Sequence, residues 1–211
     1  MAQKPKNKPQ KTQEWAVNAL NASLKKFSSS AWDGKSLILF GCEGYYLDSM
    51  GVKGQNDRGM YDDALFVVSE RLFLALNINL DPTSYRPGHG HGSSKGMGTI
   101  HYGVHEQAYA IGKHKTIFPA LRQVGNIIVR RDADSRVPKE DIITIDEKRY
   151  YLEIGNHQVM NFHPGGANTT SSLGCQTIPR DQWRLFIDSV VAEARRMNQK
   201  RFTYVKDRIQ G

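Results

Sequence analysis

Apolar and polar positions divide this chain into several short apolar runs and two stretches with helical spacing. Trp15, Ala16, Leu20, Leu24 and Phe27 recur at near-helical intervals and predict an amphipathic helix within 13–30. Only one or two of its turns are strongly apolar, so it is expected to pack on a domain and not on a membrane surface or wall polymer. After Pro179, a stripe of Trp183, Phe186, Ile187, Val190, Val191 and Ala194 predicts a second helix that packs under a sheet. Between the helices, the continuous apolar run over 36–42 reads as a buried strand, and 64–68 as another. Residues 70–76 read as a short helix or turn. Alternation at Ile100, Tyr102 and Val104 gives a strand that then loosens. Residues 124–130 and 141–146 add strands, and 150–154 with 159–162 form a hairpin around Gly155-Asn156-His157 that delivers His163 at a strand end. A last edge strand is expected over 202–205. The fold class is therefore mostly β with a few helices, without internal repeats.

Two loops stand out. Residues 43–63 are dense in Gly, Asp, Asn and Tyr, and 81–98 are held irregular by Pro and Gly; loops of this length inside a domain usually serve function. In the first, Asp48, Asn56, Asp57, Arg58, Tyr61, Asp62 and Asp63 are candidates for a polar groove wall. For most of them turn formation and local ion pairing is the preferred reading. Arg58 is the best candidate, since a guanidinium can grip a carboxylate with two parallel hydrogen bonds.

Composition narrows this picture. The 211 residues, 39% of them apolar, suffice for one core. The organisation expected is a disordered basic tail over 1–12, the helix over 13–30 and one catalytic domain over 31–211. Two cysteines make no disulfide framework. The chain lacks an apolar run long enough to span a membrane and an apolar signal core near its start. The net charge of +8 suits attraction to anionic surface polymers; without a nucleic-acid-binding signature, no specific nucleic acid is expected as partner.

Candidate chemistry concentrates in 154–178. A thiol nucleophile needs a base, backbone N–H groups aimed at a developing oxyanion, and access to solvent. His163 precedes a loop rich in Gly, Asn, Thr and Ser, and the loop closes on Ser172-Leu173-Gly174-Cys175. Cys42 makes the contrast: it ends an apolar run, where burial explains it. Cys175 is therefore the candidate nucleophile and His163 its base. Gly174 contributes to the oxyanion hole, Ser172 orients the His or completes the hole, and no cofactor is called for.

An apolar strand ending in His163, this polar loop, Ser172-Leu173-Gly174-Cys175, then Pro179 and a helix with Trp183 and Phe186 together resemble the L,D-transpeptidase catalytic domain. The resemblance implies a β-sandwich-like fold and a Cys acyl-enzyme acting on bacterial peptidoglycan peptides. Residues 44–64 and 162–183 also resemble a group of phage and prophage proteins with this loop, for which a lysis role follows. Such a chain, a monomer, would wait in the host cytoplasm until released to the cell wall. Leu173 stands where the family has His, and Gln176-Thr177 where many members have an apolar residue followed by Arg or Asn. Hydrolysis, with water as acceptor, is thus the simpler expectation than transpeptidation. Arg58, Tyr61, His105, Asn168 and Gln176 are the expected substrate-binding residues.

Two rival classes follow from the sequence. His89 and His91 form a His-x-His pair, followed by His101 and His105, which would suit a zinc peptidase. A non-catalytic wall-binding virion protein would keep the Cys175 loop as scaffolding alone.

Overall fold

A computed structural model describes residues 2–88, 95–156 and 159–211. Helix α1 spans Gln13–Lys26, its first turn capped by the Thr12 hydroxyl, which accepts from Trp15 N–H at 3.2 Å. The strands are β1 Ile38–Glu43, β2 Asp63–Val68, β3 Phe73–Ile78, β4 Gly98–Ile100, β5 Gly103–His114, β6 Phe118–Gln123 and β7 Ile127–Asp132. A single 3-10 turn at Lys139–Asp141 precedes β8 Ile143–Ile145, β9 Lys148–Gly155, β10 Phe162–Pro164 and β11 Gln176–Ile178; helix α2 Arg180–Arg196 and β12 Phe202–Arg208 complete the chain.

The strands form an eight-stranded sheet, β11-β10-β6-β5-β12-β1-β2-β3, and a four-stranded one, β4-β7-β9-β8. The larger sheet nearly closes on itself. Beyond β3, Asn79 bridges Thr177 of the opposite edge, with backbone bonds of 2.8 and 3.0 Å. Side-chain alternation assigns its two faces. Ile38, Phe40, Cys42, Phe66, Val68 and Val205 pack with Ala16, Leu20 and Leu24 of α1. Leu37, Leu39, Leu65, Val67, Leu76 and Ile78 share the other cluster with Ile127 and Val129 of the small sheet and Trp183, Phe186 and Val190 of α2. The mostly-β expectation therefore holds. No helix among the described residues is long and apolar enough to cross a membrane.

Four elements differ from the sequence reading. Strand β3 occupies most of the segment expected as a helix or turn, because its six-residue register with β2 outweighs the helix preference of Leu and Ala. The expected hairpin is absent: β9 lies in the small sheet and β10 in the large one. Strand β12 is central, parallel to β1 and antiparallel to β5, not an edge. The basic segment at the start, expected to be disordered, runs as irregular chain against the domain. Gln3 C=O accepts from Tyr61 N–H at 2.9 Å, Asn7 C=O accepts from the Tyr46 hydroxyl at 3.2 Å, and Pro9 is buried.

Candidate active site

The seam where the large sheet closes carries the Cys175 loop. Thr83, just past β3, clamps it: Thr83 N–H donates to Ser172 C=O, Ser172 N–H donates to the Thr83 hydroxyl, and the Thr83 and Thr170 hydroxyls share a bond, each 2.8 Å. The Ser172 hydroxyl then donates to Cys175 C=O at 2.7 Å and accepts from Gly174 N–H at 3.0 Å. Ser172 therefore shapes the turn. The engaged Gly174 N–H is not an oxyanion donor, which corrects that expectation. The Cys175 N–H, which has no hydrogen-bond partner among the described residues, remains as the donor on this turn. Gly174 is required for another reason: its φ is +143°, and a Cβ there would lie 2.5 Å from the Gly98 carbonyl oxygen. Gly174→Ala is expected to cost about 2 kcal/mol or more, since backbone strain alone is worth 1–3. A melting curve unchanged from wild type would contradict this.

Cys175 is partly exposed at the mouth of this turn. Its thiol donates weakly to Val159 C=O at 3.7 Å, and Asn161 N–H donates to the sulfur at 3.4 Å. Val159 holds φ +55°, a costly conformation for a β-branched residue. Burial around the sulfur pushes the thiol up to about 11, against smaller opposing effects from Asn161 N–H and the Lys115 charge. His163 lies in β10, which pairs with β6 and β11. Its Nδ1 lies 2.8 Å from Pro164 C=O; a carbonyl can only accept, so Nδ1 carries the proton and Nε2 has a free lone pair. Burial depresses this imidazole to about 4.

A third group completes the cluster. His114, the last residue of β5, stacks on His163 with ring centroids 4.1 Å apart. One nitrogen of each ring and Cys175 Sγ lie within 4.8 Å of one another. Asn161 Nδ2 sits 3.1 Å from His114 Nδ1, while Asn161 Oδ1 accepts from Gln123 N–H at 3.0 Å. The backbone donor fixes the amide, so Nδ2 donates to Nδ1 and the neutral His114 ring carries its proton on Nε2. A His-His-Cys set has the ligand types for zinc. A ligating His normally donates its second N–H to an acceptor: His163 does, whereas His114 receives a hydrogen bond there. The cluster is thus only partly prepared for a metal.

The other expected site residues sit elsewhere or serve structure. The Arg58 side chain is buried and its two terminal NH2 groups are engaged: two bonds to Asp132 of 2.8 and 2.7 Å, one to Ser84 C=O of 2.8 Å and one to the Tyr150 hydroxyl of 3.1 Å. Tyr61 is buried beneath the loop, its hydroxyl filling the space a side chain at Gly165 would need. His105 lies in β5 but nine residues from its site end; it is buried, donates from Nε2 to His101 C=O at 3.0 Å and stacks on Tyr204. Gln176 is fully buried, bonded to Gly174 C=O at 3.0 Å and to the Tyr204 hydroxyl at 3.2 Å. Asn168 is exposed on the loop. His89 and His91 lie outside the described residues. His114 and Asn161, which the sequence reading passed over, are central. No family model, curated protein or solved structure matches this chain.

Proposed function

We propose that this protein is a cysteine peptidase that hydrolyses an amide bond in the stem peptide or cross-link of bacterial peptidoglycan. One observation carries the reading: the sulfur of Cys175, a partly exposed residue, and one nitrogen of each of the His163 and His114 rings lie within 4.8 Å of one another, with the free His163 lone pair fixed by the Pro164 carbonyl. The Cys175 proton passes to His163 Nε2 as Sγ bonds to the carbonyl carbon, and the Cys175 N–H receives the developing oxyanion. The C–N bond then breaks, His163 returns the proton to the leaving amine, and water activated by the same imidazole hydrolyses the thioester.

The substrate class rests on the resemblance of 162–183 to L,D-transpeptidases. The two sheets around a shared core fit the β-sandwich-like fold this implies. The cation felt by Cys175, His163 and His114 alike is Lys115, at the β5–β6 turn. It is better placed than the sequestered Arg58 to meet a carboxylate of a stem peptide. The phage-type resemblance supports a lysis protein that reaches the wall once the inner membrane is opened.

Purified cell walls test the reading, with products identified by mass spectrometry. Wild type is expected to release soluble muropeptides, Cys175→Ala to release none while keeping its melting curve, thiol alkylation to abolish release and chelators to spare it. The reverse response to alkylation and chelation would point to His89 and His91. Walls bound but left intact by wild type would leave the non-catalytic reading in its place.

A further inference from the structure

The two stacked imidazoles are held in opposite tautomers by different neighbours. His163 faces a carbonyl, which forces the proton onto Nδ1 and leaves Nε2 bare. His114 faces the Asn161 amide, whose orientation is set by the Gln123 backbone N–H on its oxygen, and this places the ring proton on Nε2. Two bases competing for one thiol proton would need no such division. A base beside a hydrogen-bond donor is what acyl transfer needs. As sulfur adds to a carbonyl, one proton must leave the nucleophile and one new negative charge must be met.

We infer that His114 is a second catalytic imidazole of this site, donating a hydrogen bond to the oxyanion formed when Cys175 attacks, while His163 takes the thiol proton. The assignment rests on the peptidase reading above. In the step, the S–H proton passes to His163 Nε2, the S–C bond forms, and the carbonyl π pair moves onto oxygen, where the His114 N–H and the Cys175 N–H receive it. On collapse the pair returns, the C–N bond breaks, and the amine leaves with the proton from His163; His114 keeps its own proton throughout. The arrangement accounts for the occupied Gly174 N–H, whose bond to the Ser172 hydroxyl removes it from the oxyanion hole. It also gives Asn161 a positioning role at two points, the sulfur through its backbone N–H and the His114 ring through its side chain.

Three variants separate the donor from the stack. His114→Phe keeps a flat ring against His163 without an N–H, His114→Gln keeps an N–H without the ring, and Asn161→Asp faces His114 Nδ1 with an acceptor in place of the donor. On a defined muropeptide, His114→Phe is expected to lower kcat by about a hundred- to a thousand-fold, the usual effect of losing one oxyanion donor, with KM little changed. His114→Gln should recover part of the loss, and Asn161→Asp should lower kcat while the protein stays folded. The rate of iodoacetamide alkylation of Cys175 against pH should be the same in wild type and His114→Phe, because the oxyanion donor does not act on the free thiol. Full kcat in His114→Phe overturns the inference, and so does a shifted alkylation profile, which would make His114 a base for the thiol. Those outcomes leave the peptidase reading standing if wild type cleaves; a wild type that cleaves nothing takes both down.

Discussion

His163→Ala is expected to slow muropeptide release by roughly a hundred- to ten-thousand-fold, the usual worth of a positioned general base. The two groups of the pair are displaced in opposite directions by burial, the thiol up to about 11 and the imidazole down to about 4, so both are neutral at pH 7. The resting site is a neutral pair, and the proton leaves sulfur as the bond to carbon forms. The pH dependence follows from this. Protonating His163 removes the base, so activity should be lost as pH falls through about 4, with no limb at the value of 6.5 that a free imidazole would give. Alkylation of the free enzyme should be slow at pH 7 and rise toward about 11. His163→Ala should leave the rate at pH 7 nearly unchanged, since there is no resident thiolate for it to remove. Rapid alkylation at neutral pH that His163→Ala abolishes would mean an ion pair and sink this account.

The pairing of Cys175 with His163 was legible because both lie in one polar, Gly-rich segment whose composition a core would not tolerate. His114 was not, and the reason is local. Strand β5 takes a positive φ at Gln107, and its pairing with β12 shifts register between Phe202 and Tyr204. Four residues of β5 there span two of β12, and Glu106 and Gln107 are both exposed while Ala108 and Tyr109 are both buried, so alternation breaks off before the strand reaches its end. The strand expected through Ile100, Tyr102 and Val104 is instead the end of β4 and the start of β5, in different sheets, and the sequence reading chose His105, the imidazole before the irregularity. The break at 155–161 misled in a similar way: a turn between two apolar runs suggests a hairpin, while here the chain changes sheets. Arg58 failed for want of a partner, because Asp132 is remote in sequence and no local pattern shows that the two meet. Of the loop, Asn56, Asp62, Asp63 and the Arg58 side chain join a buried polar layer, while Asp48 and residues 51–55 stay exposed.

That layer carries the largest stability effect expected. Glu43 at the end of β1 is buried with Arg130 of β7 and Lys206 of β12; Arg130 donates to it at 2.8 Å, Lys206 pairs with it closely, and Lys206 also donates to Ile100 C=O at 3.0 Å. Burial by itself would push the Glu43 carboxyl up, but the two cations hold it well below the usual carboxylate range. Glu43→Gln keeps the shape and removes the charge, leaving two buried cations facing each other. Breaking a buried ion pair in this way costs about 3–5 kcal/mol, or roughly 6–20 °C in Tm for a chain of this size. Little can relieve it: Arg130 Nε has no partner among the described residues, and the adjoining cavity, lined by Glu43, Asn56, Arg58, Asp81 and Arg130, is about 10 Å³, near the room one water needs. Because the folded carboxyl is depressed, its contribution is fully present above the ordinary value of 4.5 and is lost as pH falls through the folded one. The gap between wild type and Glu43→Gln should therefore be constant from pH 5 to 8 and narrow only in acid. Replacing Glu43, Arg130 and Lys206 together by Met should recover much of the loss, since no charge is then stranded. A Tm for Glu43→Gln within 2 °C of wild type at pH 7 would show that the cations find other partners and that the layer does not hold the sheets together.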